Sequence, residues 1–477
     1  VLAAGLERLF PASGDMAPDL QRVAACIAVL RGFTVITGGP GTGKTRTVLR
    51  VLALLVEQAI ALGVAPPRIL LAAPTGKAAA RLAESIVAGL ATLPCDAAVI
   101  AAIPRSAGTL HRSLAWQPRT PTRFRHDASN PLTADVVLVD EASMVDLALM
   151  AKLVDAVPAG ARLIFLGDRD QLASVEAGSI LADVCGEATN RFSATFAARI
   201  SAVSGETRID ADGTSTAPIA DGVVRLVRSH RFRDDGGIGA LARAINDGDA
   251  GDALRLLGSD GSGEIALVSV GDASVAAREI VRHAVRGYRA ALGSEGPEAA
   301  LRALDRFRVL TAHRGGSLGV AALNGAIVAA LVRDGTLPRD ARNSSSFAGQ
   351  PVLITQNDPA LGLYNGDAGV VLAELGGVVR VWFRTADGVR GISPARLPAH
   401  ETAFAMTVHK AQGSEFDEVV LVLPSDVSPV LTRELLYTGV SRARSRVTII
   451  GSPDVMRAGI AERVQRASGL REALWQS

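Results

Sequence analysis

Residues 35–55 read VITGGPGTGKTRTVLRVLALL: a β-branched run, a glycine-rich turn, then an apolar-periodic helix. Gly38, Gly39, Pro40, Gly41, Thr42, Gly43, Lys44 and Thr45 fit the spacing G-x-x-x-x-G-K-[ST]. In such a loop the backbone N–H groups and a helix N-terminus cradle phosphates. Lys44 reaches the β and γ oxygens of ATP, Thr45 ligates Mg²⁺, and Arg46 completes the nucleotide-binding set. About a hundred residues further on, Asp140 and Glu141 end an apolar strand. Asp140 is placed to hold Mg²⁺ through water and Glu141 to orient the attacking water. Gln171, in the word GDRDQL, is placed to sense the γ-phosphate, and Gln21 offers its two-faced amide to adenine. Read singly, the acidic pair has a helix N-cap as its lesser alternative and GDRDQL a turn capped by Asp168, while a lone Gln such as Gln21 is ordinarily a surface residue. Far down the chain, Arg231 in RSHRF and Arg442 in YTGVSRARSR offer guanidinium groups from a second domain. Such groups neutralise charge developing on a γ-phosphoryl and tie domain closure to the nucleotide.

These residues need a scaffold, and its outline is readable. Strands are expected at 33–37, 68–73 and 135–139, with another ending at Gly167-Asp168, each leading into a helix. Near-continuous Val, Ile and Leu strands alternating with helices indicate an α/β fold with a parallel sheet covered on both faces. A first domain over 1–225 is expected to carry a basic insert at about 103–132. Residues 186–222, rich in Ser, Thr, Ala and Gly, read as an insertion or flexible connector. A second α/β unit is expected over 226–345 and 399–477, with a strand at 307–312. The short strands of 346–398, divided by Gly, Asn and Asp, read as an inserted small β-barrel.

Composition sets limits. Of 477 residues, 48% are hydrophobic and 21% charged, which reads as a soluble chain of several structural units. No apolar run is long enough for a bilayer, and no signal peptide is evident, so a cytoplasmic protein without membrane contact is expected. Cys26, Cys95 and Cys185 lack metal-ligand spacing and read as reduced thiols. A net charge of +2 confines nucleic-acid contact to local patches. The chain has only four lysines (Lys44, Lys77, Lys152 and Lys410), and three fall inside motifs. A lysine that persists against an arginine bias marks a place for a compact ammonium. Residues 97–126 carry no Asp or Glu, but five arginines (Arg105, Arg112, Arg119, Arg123, Arg125), His111, His126 and Trp116. Charges that follow phosphates beside a ring that stacks on a base suit a single strand; the other reading is a solvated arginine-rich loop.

Taken together, GGPGTGKT, LAAPTGKAAARL, GTLHRSL, VLVDEASMVD, FLGDRDQLASVEAG, TAHRGGSLGVAALN, NDPALGLYNGD, AMTVHKAQGSEFD and RELLYTGVSRAR resemble superfamily-one DNA helicases. The resemblance covers nearly all of 20–477 and is closest to the RecD-type alpha subunits of bacterial exodeoxyribonuclease V. It implies two RecA-like P-loop motor domains around one ATP, with an SH3-like insert in the second. By motif position it implies DNA contacts from Pro74, Thr75, Lys77, Thr109 and His111 in the first domain, and from His313, Asn365, Thr407 and His409 in the second. Lys410, Gly413 and Glu415 fall in the motif coupling the DNA track to the nucleotide, and a duplex-splitting hairpin belongs to the basic stretch. Two departures stand out. The chain begins at Val1, and the family's N-terminal docking domain is expected to be absent or reduced. The connector at 186–222 is closer to that of complex-bound alpha subunits than to that of stand-alone relatives.

The expectation is an ATP-dependent 5′-to-3′ helicase acting on single-stranded and duplex-end DNA. It would be the motor of a RecBCD-type repair and recombination nuclease, with RecB-type and RecC-type partners. The rivals are a stand-alone repair or conjugation helicase, a non-translocating ATP-gated DNA clamp, and a small-molecule P-loop kinase.

Overall fold

Strands buried on both faces need helices on both sides, and neighbouring strand residues divide accordingly. Ile36, Leu138, Ile164 and Leu166 join one core with the helices Leu20–Leu30, Lys44–Ala61 and Gly76–Leu90. Val35, Val137, Val139 and Phe165 point the other way, into a core with the helices Leu147–Ala156 and Ile180–Cys185. The computed structural model describes residues 1–477 apart from 12–16, 118–122, 174–178, 187, 213–216, 233–235, 260, 262, 359, 375–376, 386–387, 465–467 and 476–477. The chain forms two units, Val1–His230 with Arg466–Ser477, and Arg231–Gln465.

The strands of the first unit are β1 (Phe33–Gly38), β2 (Ile69–Ala73), β3 (Gly108–Thr109), β4 (Val136–Val139), β5 (Arg162–Gly167), β6 (Phe192–Ser193), β7 (Ala211–Asp212) and β8 (Val223–Leu226). Six of them make an all-parallel sheet in the order β3-β2-β4-β5-β1-β8. Strand β8 corrects the expected boundary at 225, because Leu226 still pairs with Gly38. The chain's last helix, Leu470–Trp475, also belongs here rather than to the second unit. Trp475 Nε1 donates to the Asp183 carbonyl at 3.2 Å and Ser468 Oγ to Asp183 Oδ2 at 2.6 Å.

The connector expected at 186–222 is corrected as well. It contains the helix Ala194–Ser204, and Phe192, Phe196 and Ile200 enter the first core. Within the helix, the spacing of four from Phe196 to Ile200 and of three on to Val203 is the helical signal that the Ser- and Ala-rich composition hid. Buried Asp221 ties the segment down, accepting from Ser193 N and Ser193 Oγ, both at 2.8 Å.

The second unit holds β9 (Ile265–Ser269), β10 (Phe307–Thr311), β11 (Pro351–Ile354), β12 (Ala368–Ala373), β13 (Val379–Thr385), β14 (Gly388–Ile392), β15 (His400–Thr402), β16 (Ala405–Thr407), β17 (Phe416–Val422) and β18 (Ala443–Gly451). Its parallel sheet runs β16-β10-β17-β18-β9. Matched in chain order, β9, β10, β16, β17 and β18 occupy the places of β1, β2, β3, β4 and β5, so the two units share one connectivity. Between β10 and β16 the chain forms an antiparallel sheet, β14-β13-β12-β11-β15, around Val352, Val371, Val381 and Phe383. The insert expected at 346–398 therefore extends one strand further, to Thr402. Arg308 and Tyr288 anchor its return. Buried Arg308 donates to the Ala403 and Leu304 carbonyls and lies over Phe416 at 5.0 Å. Tyr288 stands edge-on between Phe307 and Phe404.

Candidate nucleotide site and nucleic-acid interface

In a parallel sheet every strand delivers its chain to the same edge, which is where ligands gather. The carboxyl edge of the first sheet carries the glycine loop after β1, Gln171 after β5, Asp140-Glu141 after β4, Thr75 after β2, and His111 after β3. Nucleotide candidates thus occupy three adjacent strand ends, and DNA candidates the next two.

The helix Lys44–Ala61 starts at Gly43, whose φ of +83° needs glycine and which supplies no side-chain cap. Its first amides are therefore left for a phosphate. A Cβ at Gly43 would also stand 2.4 Å from Gln21 Nε2. Gln21 Nε2 donates to the Thr42 carbonyl at 2.9 Å, so this amide braces the loop as well as standing where adenine was expected. Lys44 Nζ donates to the Gly38 and Gly39 carbonyls at 2.5 and 3.1 Å. Thr42 Oγ1 closes the turn onto Gly39 at 2.8 Å. Two residues not singled out from the sequence complete the brace. Ser229 Oγ donates to the Pro40 carbonyl at 3.0 Å, and His230 N to that of Gly41 at 2.8 Å. Their signal lay in RSHRF, noticed only for its arginine.

Glu141 adopts the left-handed region, φ +51°, which costs a non-glycine residue about 1–3 kcal/mol. This turn lets Asp140 Oδ1 accept from Glu141 N at 2.8 Å. Gly167 permits the close approach of β5, since a Cβ there would meet the amides of Ala142 and Ser143 at 3.3 Å. Burial first, and the charge of Glu141 second, push the Asp140 carboxyl up to about 7; Lys44 opposes both. The carboxylates of Asp140 and Glu141, side by side at the end of β4, offer hard-oxygen donors of the kind Mg²⁺ takes. Gln171 is buried and fixed, Nε2 donating to Asp168 Oδ2 at 3.0 Å. Asp170 pairs with Arg225 at 3.0 Å, which ties the loop after β5 to β8.

Among the DNA candidates, Thr75 and Thr109 are N-caps, accepting from Ala78 N and Arg112 N at 3.2 Å each. Pro74 follows β2 directly, and Lys77 lies in the first turn of the helix that Thr75 caps. His111 packs against Phe124 with ring centroids 5.8 Å apart. The described residues on either side of 118–122 pair antiparallel. Trp116 bridges Phe124, and Arg125 N donates to the Ala115 carbonyl at 3.1 Å. Trp116 is exposed; Arg119 lies outside the described residues.

The second unit divides its candidates. His313 follows β10 at the carboxyl edge, in a cleft of about 210 Å³ shared with Ser425 and Asp426. Thr407 ends β16 at the same edge, buried, with Oγ1 accepting from Lys410 N at 3.3 Å. It shapes the turn that carries His409 and Lys410 rather than presenting its own hydroxyl. Lys410 pairs with Glu401 at 2.6 Å, and Arg314 approaches the same carboxylate at 3.5 Å. Asn365 lies apart from both, in the antiparallel insert, its N–H donating to Asn357 Oδ1 at 2.8 Å.

Gly413, at φ +65°, and Glu415 lead into the amino end of β17, and Arg442 directly precedes β18. The stretch 408–415 therefore crosses from one edge of the sheet to the other. Glu415 receives Arg231 at 2.6 Å and Arg444 at 3.3 Å. Arg442 is only 4% exposed, its Nε and Nη1 donating to the Thr438 and Ser414 carbonyls at 3.3 and 3.2 Å.

Comparison with known proteins follows the same division. Residues 21–177 match the family model of an AAA domain, and 402–450 that of a UvrD-like helicase C-terminal domain. The RecBCD enzyme subunit RecD of Mycobacterium tuberculosis is 46% identical over 473 residues, 98% of this chain and 74% of its own length. That of Haemophilus influenzae is 40% identical, with the same two coverages. The ATP-dependent RecD2 DNA helicase of Deinococcus radiodurans is 32% identical over 93% of this chain and 50% of its own length. A crystal structure of Bacteroides Pif1 bound to single-stranded DNA aligns with 93% of this chain and 94% of its own, at 16% identity and a TM-score of 0.44, too loose a likeness to argue from.

Proposed function

The chain belongs to the RecD family of ATP-dependent DNA helicases, and from that premise we propose that it works as the 5′-to-3′ motor subunit of a cytoplasmic RecBCD-type nuclease, beside RecB-type and RecC-type partners. The observation that carries the reading is the shared carboxyl edge of the first sheet. Nucleotide candidates at β1, β5 and β4 adjoin DNA candidates at β2 and β3, so a shift at one set reaches the other through a single rigid layer.

In this reading Lys44 leaves the Gly38 and Gly39 carbonyls for the β and γ oxygens of ATP, a stronger charge-assisted partner. Thr45 and Asp140 hold Mg²⁺, which supplies Lewis-acid charge to the phosphates. Glu141 orients the attacking water from its fixed left-handed turn, and Gln171, anchored by Asp168, reports whether the γ-phosphate is present. Arg231 and Arg442 stabilise the charge developing on that phosphate. In the second unit, 408–415 carries the signal, with His409 and Lys410 at its DNA end and Gly413 and Glu415 at its nucleotide end. The antiparallel insert is SH3-like and contributes Asn365 to the track. Single-stranded DNA runs past Thr75, Lys77 and His111, then His313 and His409, and the basic stretch around Trp116 meets the duplex. The chain spans 74% of the length of RecD subunits that are 40–46% identical to it, against 50% of a RecD2 helicase at 32%, and this favours the subunit over the stand-alone rival.

Unwinding of 5′-tailed against 3′-tailed duplexes, with and without co-purified partners, tests the proposal. Displacement restricted to 5′ tails and co-elution with two large subunits is the expected outcome. Equal activity on 3′ tails would overturn the polarity, and a fully active, partner-free chain would overturn the subunit assignment.

A further inference from the structure

After the second unit the chain comes back to the first, where it forms the helix Leu470–Trp475. So short a helix does not hold itself in water, so its contacts with the helix Ile180–Cys185 must hold it. Ser468 Oγ donates to Asp183 Oδ2 at 2.6 Å and accepts from Leu470 N at 3.1 Å. Trp475 Nε1 donates to the Asp183 carbonyl at 3.2 Å, and Leu470, Leu474 and Trp475 pack on the core that holds Leu181 and Val184. The indole then lies against Gly186, just past that helix. A Cβ at Gly186 would collide with the ring, and the backbone there, at φ +46° and ψ −127°, is one that other residues rarely adopt. The Gly186 carbonyl in turn accepts from Arg169 Nη1 at 3.1 Å. Arg169 belongs to the loop that carries Gln171; its N–H donates to Thr37 Oγ1 at 3.1 Å, and its neighbour Asp168 holds the Gln171 amide. Leu181 of the same helix occupies the space that a Cβ on Gly167 would need. The returning segment therefore bears on the Gln171 loop at two points, Gly167 and Arg169, through one helix.

We propose that Trp475 is a positioning residue for Gln171. Its indole fixes the turn at Gly186, Gly186 fixes the Arg169 guanidinium, and Arg169 holds the loop in which Gln171 meets the γ-phosphate. Covering apolar surface needs only Leu470 and Leu474. The indole N–H on the Asp183 carbonyl instead aims the ring at the residue that holds Arg169. The proposal rests on the γ-phosphate role given to Gln171 and names what keeps that group in place.

Steady-state ATP hydrolysis by the full chain, with saturating oligo-dT, tests it on Trp475→Ala, Trp475→Phe, Gln171→Ala and the double variant Trp475→Ala/Gln171→Ala. Trp475→Ala is expected to lower kcat about 10- to 100-fold with KM for ATP little changed, the pattern of a misplaced group that acts in the transition state. Trp475→Phe keeps a ring against Gly186 and is expected to recover most of that loss. In the Gln171→Ala background, Trp475→Ala is expected to cost nothing further, because the group it positions is already gone. Should Trp475→Ala unfold, Ser468→Ala loosens the segment while sparing the ring, and the same pattern is expected at smaller size. Wild-type kcat in whichever of these two variants folds, or a loss that adds in full to that of Gln171→Ala, would overturn the proposal. Wild-type turnover by Gln171→Ala alone would show separately that the γ-phosphate reading has failed, and the proposal with it.

Discussion

The two parallel sheets share one connectivity, yet only the first carries a phosphate loop, and the contrast at matching junctions explains why. After β1 the chain reaches the helix Lys44–Ala61 through Gly43, whose lack of a side chain leaves the first amides open. After β9, at the matching place, it reaches the helix Ala273–Leu292 through Asp272. The Asp272 carboxylate accepts from Ser274 N at 2.8 Å and Val275 N at 3.1 Å, doing internally what a bound phosphate would do at the first junction. A helix N-terminus at a sheet's carboxyl edge becomes a ligand site only when no side chain has already capped it. The second unit then takes a different part. It places Glu415 and Arg442 at the amino edge of its sheet and the DNA candidates His313 and Thr407 at the carboxyl edge, with 408–415 running between the edges.

The largest effect is expected where the first junction is disabled. Lys44→Ala removes the ammonium proposed to meet the β and γ oxygens, and ATP turnover is expected to fall to background while single-strand affinity survives. Glu141→Gln, which spares Asp140 and Lys44, is expected to bind ATP and hold it. Wild-type hydrolysis by the Glu141 variant would sink the water-orienting role.

Arg442→Lys probes the other half of the contrast. The lysine keeps the charge but loses the planar fork, and turnover is expected to drop on the order of 10³-fold with nucleotide affinity little changed. The fork also braces the Thr438 and Ser414 carbonyls, so thermal stability must be measured alongside. A fall in turnover at unchanged Tm marks action on the nucleotide. A matching loss of Tm returns Arg442 to a structural part, and Arg444 or Arg231, both already on Glu415, become the better candidates.

What was legible in the sequence follows from the kind of signal each region carries. The strands around Val35, Val137 and Val309 were visible because apolar runs bounded by Gly, Asp or Thr have few other foldings. The glycine loop and acidic pair were visible because their chemistry fixes their spacing. The helix Ala194–Ser204 was hidden, since its Ser and Ala residues mask the spacing of Phe196, Ile200 and Val203. The return of the helix Leu470–Trp475 to the first unit was hidden too, because a contact some 290 residues distant, Trp475 with Asp183, leaves no local pattern. The cap made by Thr407 was hidden for a third reason: motif position marks the residue, but only packing shows that its hydroxyl accepts from Lys410 N.

Asp140 gives a smaller effect whose sign is fixed. Its folded pKa, about 7, lies above the ordinary carboxylate value, so the folded state favours the protonated form. Its contribution is fully present below about pH 4 and is lost as pH rises through 7. Asp140→Asn is therefore expected to raise the stability of the nucleotide-free protein at pH 8, and to change little at pH 4. The gain is about 1–2 kcal/mol, below the roughly 4 kcal/mol of the full shift because solvent reaches the half-buried turn. Mg²⁺ favours the ionised carboxylate, so adding it is expected to narrow the difference. Stability of the variant that tracks wild type across this range would mean that Glu141 and burial do not press on Asp140 as the geometry implies.

The smallest effect tests the second junction directly. Asp272→Ala strips the cap from the helix Ala273–Leu292 and leaves its first amides as open as those beyond Gly43. Hydrogen bonds from Ser274 and Val275 hold the Asp272 carboxyl below its ordinary pKa, so the cap stabilises above the carboxylate range and is lost as pH falls through it. The variant is expected to melt about 2–4 °C lower at pH 7, with the difference shrinking toward pH 3. Opening the amides is not expected to create a nucleotide site. No lysine follows Asp272 as Lys44 follows Gly43, and the space there, against Leu318 and Pro424, is much smaller than a nucleotide. Nucleotide stoichiometry should therefore match wild type. A further equivalent bound by Asp272→Ala would mean that the cap alone separates the two junctions, and that the missing lysine and the closed space count for little.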